Sequence, residues 1–198
     1  MTSSRSEGKI GFLLVDKPSG ISSFKVVNFL RNISKIRTFG YVGTLDPLAT
    51  GLMLIAIDEG RKCLPFFEGL DKEYQVEIVL GGVSNTYDAD GEILNQTVLK
   101  NPMFSDVEKA LKIFNGEMMQ MPPSYSAIKI QGRRAYDFAR KGQSVELQSR
   151  KVVFHDVELV SYEYPKLVCR VHCSSGTYIR SFAHDLGQML GCGAYVKN

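Results

Sequence analysis

The chain has 198 residues, 44% of them hydrophobic and 23% charged, with a formal net charge of +3. That balance fits one globular domain with a sizeable core, with or without a small insertion. It contains no run near the ~18 apolar residues of a membrane span, and Met1 to Lys9 lacks an apolar signal core, so it is expected to be a disordered lead-in.

The apolar run Ile10 to Val15 predicts a buried strand, and Asp16-Lys17-Pro18-Ser19-Gly20 a turn. Ser22 or Ser23 caps a helix to about Lys35 whose apolar face is Val26, Phe29, Leu30 and Ile33. Gly40 to Gly51 reads as irregular, and Leu52 to Ile57 as a strand. Tyr74, Val76, Ile78 and Leu80 alternate on one strand, which Gly81-Gly82 ends. Asp90-Gly91 is a turn, and Ser105-Asp106-Val107-Glu108 a capping-box sequence opening a helix that buries Val107, Ala110, Leu111 and Phe114. A short helix spans about Arg134 to Lys141, strands follow near 152–160 and 167–173, and a last helix carries Ile179, Phe182, Ala183, Leu186, Met189 and Leu190. Strands in runs and between helices imply α+β, with a mixed or mainly antiparallel sheet flanked by helices.

The charge is unevenly spread. Residues 1–40 and 124–151 each carry seven bases against two acids, whereas 41–123 carry six bases against thirteen acids. Two basic segments on a nearly neutral chain suit either a polyanion-binding surface or two solvated faces. The Pro-flanked basic segment 122–151 reads as an insertion between sheet elements. The four cysteines, with no secretion signal, do not suggest a disulfide framework. Leu167, Cys169, Val171 and Cys173 share a strand face, so the two cysteines read as core and His172 as facing outward.

Two segments stand out chemically. In Gly43-Thr44-Leu45-Asp46-Pro47-Leu48-Ala49-Thr50-Gly51, the proline keeps Asp46 extended and the glycines allow unusual turns. A carboxylate there suits a nucleophile, general base or metal ligand, or an ordinary Asp-Pro turn. In Gly176-Thr177-Tyr178-Ile179-Arg180, Arg180 falls in a first helical turn, where the positive dipole end disfavours it. It is therefore either partnered by a carboxylate or simply exposed. Thr86-Tyr87-Asp88-Ala89-Asp90-Gly91 echoes a calcium loop but lacks the acidic first and twelfth positions, so it reads as a turn. His155, His172 and His184 lack zinc spacings, and His184 reads as a core or helix-surface histidine.

The ordered set Gly11–Gly20, Gly43–Gly51, Lys72-Glu73-Tyr74, Pro122-Pro123-Ser124-Tyr125-Ser126-Ala127 and Gly176–Arg180 closely resembles the tRNA pseudouridine synthase B family, from about Gly11 to Val196. The resemblance implies a pseudouridine synthase fold. Residues 10–198 would be its catalytic domain, and 122–151 an RNA-gripping insertion bearing Lys129, Arg133, Arg134, Arg140 and Lys141. It implies isomerisation of uridine 55 in the TΨC arm of tRNA by a cytoplasmic monomer that needs no cofactor or metal. Asp46 would be the nucleophile, attacking C6 of the uracil or C1′ of the ribose. Tyr74 would stack on the flipped base, Tyr178 would line its pocket, and Arg180 would pair with Asp46. Lys17 would support the loop or the RNA backbone.

This sequence departs from the family pattern in places. Tyr41 stands where the family usually has a His near the target RNA, and Asn85 replaces a usual acidic residue. The family typically continues beyond the equivalent of Asn198, so a C-terminally truncated catalytic domain is expected. The alternative readings are a tRNA-binding and refolding factor with weak or no turnover, a nucleoside or RNA glycosylase, and a guide-directed synthase.

Overall fold

The computed structural model describes residues 11–126, 128–130, 132–139, 141–143 and 146–198, with the side chains of Lys129 and Arg134 left aside. The expected lead-in, 1–9, lies outside the described residues. The chain divides into two compact units, Met1–Leu70 and Asp71–Asn198.

In the first unit, β1 (Gly11–Lys17), α1 (Ser23–Ser34), β2 (Phe39–Val42) and β3 (Gly51–Ile57) precede a 3-10 helix, Asp58–Cys63, and the short α2 (Pro65–Glu68). The strands form an antiparallel sheet in the order β1-β3-β2. The Ser22 side chain accepts the Lys25 N–H at 3.3 Å and so starts α1, as its position implies.

Two expectations hold only in part. Of the expected face of α1, Val26 is buried and Leu30 packs against the core, but Ser23 and Val27 are buried beside them, while Phe29 and Ile33 are exposed. The helix is rotated because the Ser23 hydroxyl is tied into the interior, donating to the Leu45 carbonyl and accepting its N–H, both at 3.0 Å. Strand β1 is present but not buried: Phe12, Leu13 and Leu14 are exposed. It is an edge strand with a single partner, and the core of Val26, Val27, Phe39, Met53 and Ile55 covers only one face of the small sheet. The start of the stretch read as irregular, 40–42, belongs to strand β2 (Phe39–Val42), paired from Phe39↔Ile57 to Val42↔Leu54.

The second unit runs β4 (Lys72–Leu80), β5 (Gly82–Ser84), β6 (Ile93–Asn95), α3 (Phe104–Phe114), β7 (Gly116–Gln120), β8 (Lys129–Ile130), β9 (Arg133–Arg134), α4 (Ala135–Ala139), β10 (Arg150–Glu163), β11 (Lys166–Cys173), α5 (Ile179–Met189) and β12 (Ala194–Val196). Its main sheet has the order β12-β4-β11-β10-β7, antiparallel throughout. A lone parallel bridge joins Asp88 to Val196. The result is the expected α+β arrangement.

One face of this sheet is apolar. It presents Val76, Ile78 and Leu80 of β4, Leu167, Cys169, Val171 and Cys173 of β11, and Val152 and Phe154 of β10, all buried. Helix α3 contributes the four residues its periodicity implies, Val107, Ala110, Leu111 and Phe114. Phe114, Phe154 and Phe182 pack with ring centroids 4.7–5.7 Å apart, in the range favoured by edge and tilted aromatic contacts. Gly187 lets α5 approach β12: a Cβ there would sit 2.2 Å from the Ala194 nitrogen.

The α3 cap differs from the expectation. The helix begins at Phe104, because the Asp106 carboxylate accepts the Met103 N–H at 3.0 Å, so Ser105 lies inside the first turn. Segment 121–149 leaves the sheet after β7 and returns at β10, where Gln120 pairs with Arg150. Among the described residues no helix is long and apolar enough to cross a membrane.

Candidate active site

The first unit carries Lys17, Tyr41 and Asp46. Asp46 lies on the loop between β2 and β3, with Gly43 (φ 70°) and Gly51 (φ 119°) at its two ends. Those backbone angles are strained for a residue with a Cβ, so the two glycines set how the loop enters and leaves.

The loop is pinned from the β1–α1 connection. Lys17 is fully enclosed, and its ammonium donates to the carbonyls of Pro18 (2.9 Å), Ile21 (2.8 Å) and Pro47 (3.1 Å). Gly20 N–H also donates to Pro47 O at 2.8 Å, and the Ser19 hydroxyl donates to Leu48 O at 2.8 Å. With Ser23 holding Leu45, both flanks of Asp46 are fixed by polar contacts from one connection. Asp46 itself is half-buried, and its carbonyl accepts the Ala49 N–H at 3.1 Å. Burial lowers the Lys17 pKa, and the attraction of the Asp46 carboxylate opposes that shift. Tyr41, opposite Ile55 on β2, packs against the core of the unit. It also lines a hollow of about 470 Å³, with Phe24, Arg31, Arg61 and Glu68, whose lining includes neither Asp46 nor Lys17.

The second unit carries Tyr74, Tyr178, Arg180 and the basic segment. Tyr74 is half-buried on the core side of β4, opposite Val171. Tyr178 caps the N-terminus of α5, and its backbone is gripped from both sides by the buried Gln120. The Gln120 amide donates to Tyr178 O at 3.0 Å, and its oxygen accepts Tyr178 N–H at 2.8 Å. The Arg150 guanidinium lies 4.3 Å from the Tyr178 ring centroid, a cation–π distance, and also donates to the Gly176 carbonyl.

Arg180 is buried, and within its own unit its carboxylate partner is Asp88, at 3.4 Å. The same guanidinium donates to Thr86 O and Tyr125 O, each at 3.0 Å. It thereby ties α5 to the 84–91 turn and to the start of the basic segment. Asp88 is buried too. Its carboxylate accepts the Thr86 hydroxyl at 2.5 Å and the Asp90 N–H at 3.1 Å.

Sequence reading treated Thr86–Gly91 as a plain turn and passed over Gln120. The clue to Asp88 was the misplaced arginine, which asked for a carboxylate. The hydrogen bonds of Gln120 span 58 residues and leave no local signature. Of the basic residues, Arg133 and Lys141 are exposed. Lys129 and Arg134 sit on the β8–β9 hairpin by backbone, and Arg140 lies outside the described residues. His184 stacks on Tyr87 with ring centroids 4.0 Å apart, and burial lowers its pKa. Among the described residues, the metal-capable group is Asp71, His155 and His172, which shares no residue with these constellations.

The architecture is that of a pseudouridine synthase. The chain superposes on the crystal structure of a Cbf5–Nop10–Gar1 complex with a TM-score of 0.72 at 27% identity, covering 94% of this chain and 46% of that one. It also superposes on an H/ACA RNP bound to a substrate RNA containing 2′-deoxyuridine, with a TM-score of 0.69 at 23% identity, a likeness of fold alone. The chain thus spans under half the length of the matched chain in either structure.

Residues 31–179 match the TruB family pseudouridylate synthase N-terminal domain. The tRNA pseudouridine synthase B of Chlamydia pneumoniae is 45% identical over 96% of this chain and 81% of its own length. That of Protochlamydia amoebophila is 44% identical over 95% of this chain and 71% of its own. The chain belongs to the TruB family of pseudouridine synthases.

Proposed function

We propose that the chain converts uridine 55 in the TΨC arm of tRNA to pseudouridine, with Asp46 as nucleophile. The observation that carries this reading is the Asp46 loop. A carboxylate is displayed between two positive-φ glycines on a loop whose flanks are pinned by Lys17, Ser19 and Ser23. Such fixing limits the reorganisation needed when the carboxylate meets its target.

The product is an isomer of the substrate, so no electrons or atoms enter or leave overall. The target base must leave its stack, which costs a few kcal/mol. Tyr74 offers an aromatic face to the flipped uracil, and Tyr178, held by Gln120, walls the pocket. The Asp46 carboxylate attacks C6 or C1′, the N1–C1′ bond breaks, the base turns and C5 joins C1′; the bond to Asp46 is then released, N1 takes up a proton, and the C5 proton leaves last, to Tyr74 or a water. Asp88 orients the Arg180 guanidinium. Lys17, enclosed among carbonyls, serves the loop and not the RNA backbone. Arg133 and Lys141 position phosphates and contribute salt-dependent affinity.

The test is incubation of the purified chain with unmodified tRNA transcript, without guide RNA, followed by nucleoside analysis. Pseudouridine at position 55 is expected. Free uracil would make the protein a glycosylase, and binding without product would make it a tRNA-binding factor.

A further inference from the structure

The outer face of the second unit's sheet carries a group of side chains that the isomerisation does not use. A β-bulge between Phe154 and Asp156 places two residues of β10, His155 and Asp156, against the single His172 of β11. His155 therefore lies beside His172, with ring centroids 4.8 Å apart. Asp71, just before β4, reaches the same spot, its Oδ2 3.1 Å from His155 Nε2. All three side chains are exposed, and their ligand atoms lie within 4.8 Å of one another.

We propose that His155, His172 and Asp71 form a binding site for a divalent transition-metal ion of the zinc class. Two imidazoles and one carboxylate are the donors such ions prefer, whereas magnesium and calcium take oxygen sets. Metal–ligand bonds of about 2.0–2.2 Å put tetrahedral ligand atoms roughly 3.3 Å apart. The His155–Asp71 pair already meets that spacing, and the widest pair must close by about 1.5 Å, a distance exposed side chains cover by rotation about χ1 and χ2. Three protein donors leave a coordination position for water. Glu73 and Asp156 both lie opposite His172 in register and are exposed, adding negative charge around a cation. The nearest base on that face of β11, Arg170, is engaged by Glu158 at 2.9 Å. A bound ion would join the start of β4 to β10 and β11.

The experiment uses the untagged full chain carrying Cys63→Ser, which removes the exposed thiol, titrated calorimetrically with Zn²⁺ alone. One saturable equivalent is expected, together with a melting temperature that rises with Zn²⁺ concentration. Because loss of an outer-shell partner alone costs about 10–100-fold in metal affinity, His155→Ala or His172→Ala should weaken binding by at least tenfold. In the protein with both histidines intact, Zn²⁺ should also protect them from carbethoxylation, a readout that needs no altered ligand. Absence of a saturable equivalent, unchanged affinity in either histidine variant, or no protection would overturn the proposal.

Discussion

Replacing Lys17 by methionine keeps an unbranched side chain, one atom shorter, and removes its three N–H donors. Each hydrogen bond from a charged group contributes about 1.5–3 kcal/mol net. The three contacts of 2.8–3.1 Å would on that scale make the change severe. Two effects reduce it. Pro47 O keeps the Gly20 N–H at 2.8 Å, and methionine avoids burying a cation, a cost already visible in the lowered Lys17 pKa. We expect a net loss of about 2–3 kcal/mol at pH 7, within the range for a broken buried network.

The pH dependence has a defined sign. The folded pKa of Lys17 lies below its ordinary value, so between the two the unfolded chain binds more protons. The penalty for burying the ammonium is present at neutral pH and is relieved as pH rises through the folded pKa towards about 10.5. The stability gap between wild type and Lys17→Met should widen over that window. Urea titration followed by far-UV circular dichroism suits a chain without tryptophan. A loss under about 0.5 kcal/mol, the range of ordinary surface substitutions, would refute the pinning role.

Asp88→Asn leaves Arg180 buried beside an uncharged partner, and breaking a buried pair costs about 3–5 kcal/mol. The amide retains some of the contacts to Thr86 and Asp90, so a loss of about 2 kcal/mol by urea titration is expected, with turnover falling further than tRNA affinity. Burial pushes the Cys169 thiol up to about 12 and raises those of Cys173 and Cys192, so a thiol reagent at pH 8 should label Cys63 alone in the folded chain and all four in denaturant. Arg133→Glu with Lys141→Glu should weaken tRNA binding and lower the slope of log K against log salt by roughly one to two. An unchanged slope would return segment 122–151 to an ordinary solvated surface.

Much of the second unit's core is legible in the sequence, because its signals are periodic and local. The alternation of Leu167, Cys169, Val171 and Cys173 placed those residues inside and His172 outside, and the α3 stripe matched residue for residue. Legibility failed where a distant partner decides. The rotation of α1 is set by Ser23 bonding to Leu45, 22 residues away, which periodicity does not register. The short strands β7 and β12 borrow their regularity from neighbours across the sheet. The same holds for function. Asp46 could be singled out by its glycines and proline, but the lysine beneath its loop depends on the Lys17–Pro47 contact, 30 residues apart in the chain. Asp88 looked like a turn residue until Arg180, far along the chain, was seen against it. His155 and His172 have no zinc spacing, and only strand register with a bulge brings them together.

The central claim is that the Asp46 carboxylate is the nucleophile. Asp46→Asn preserves the size of the side chain and its place on the pinned loop while removing the attacking charge. Wild type and variant should be compared for pseudouridine formation on unmodified tRNA transcript and, in parallel, for tRNA affinity. Turnover falling to background with affinity within about threefold of wild type, under 1 kcal/mol, is the predicted result. Substantial pseudouridine from the asparagine variant would contradict it.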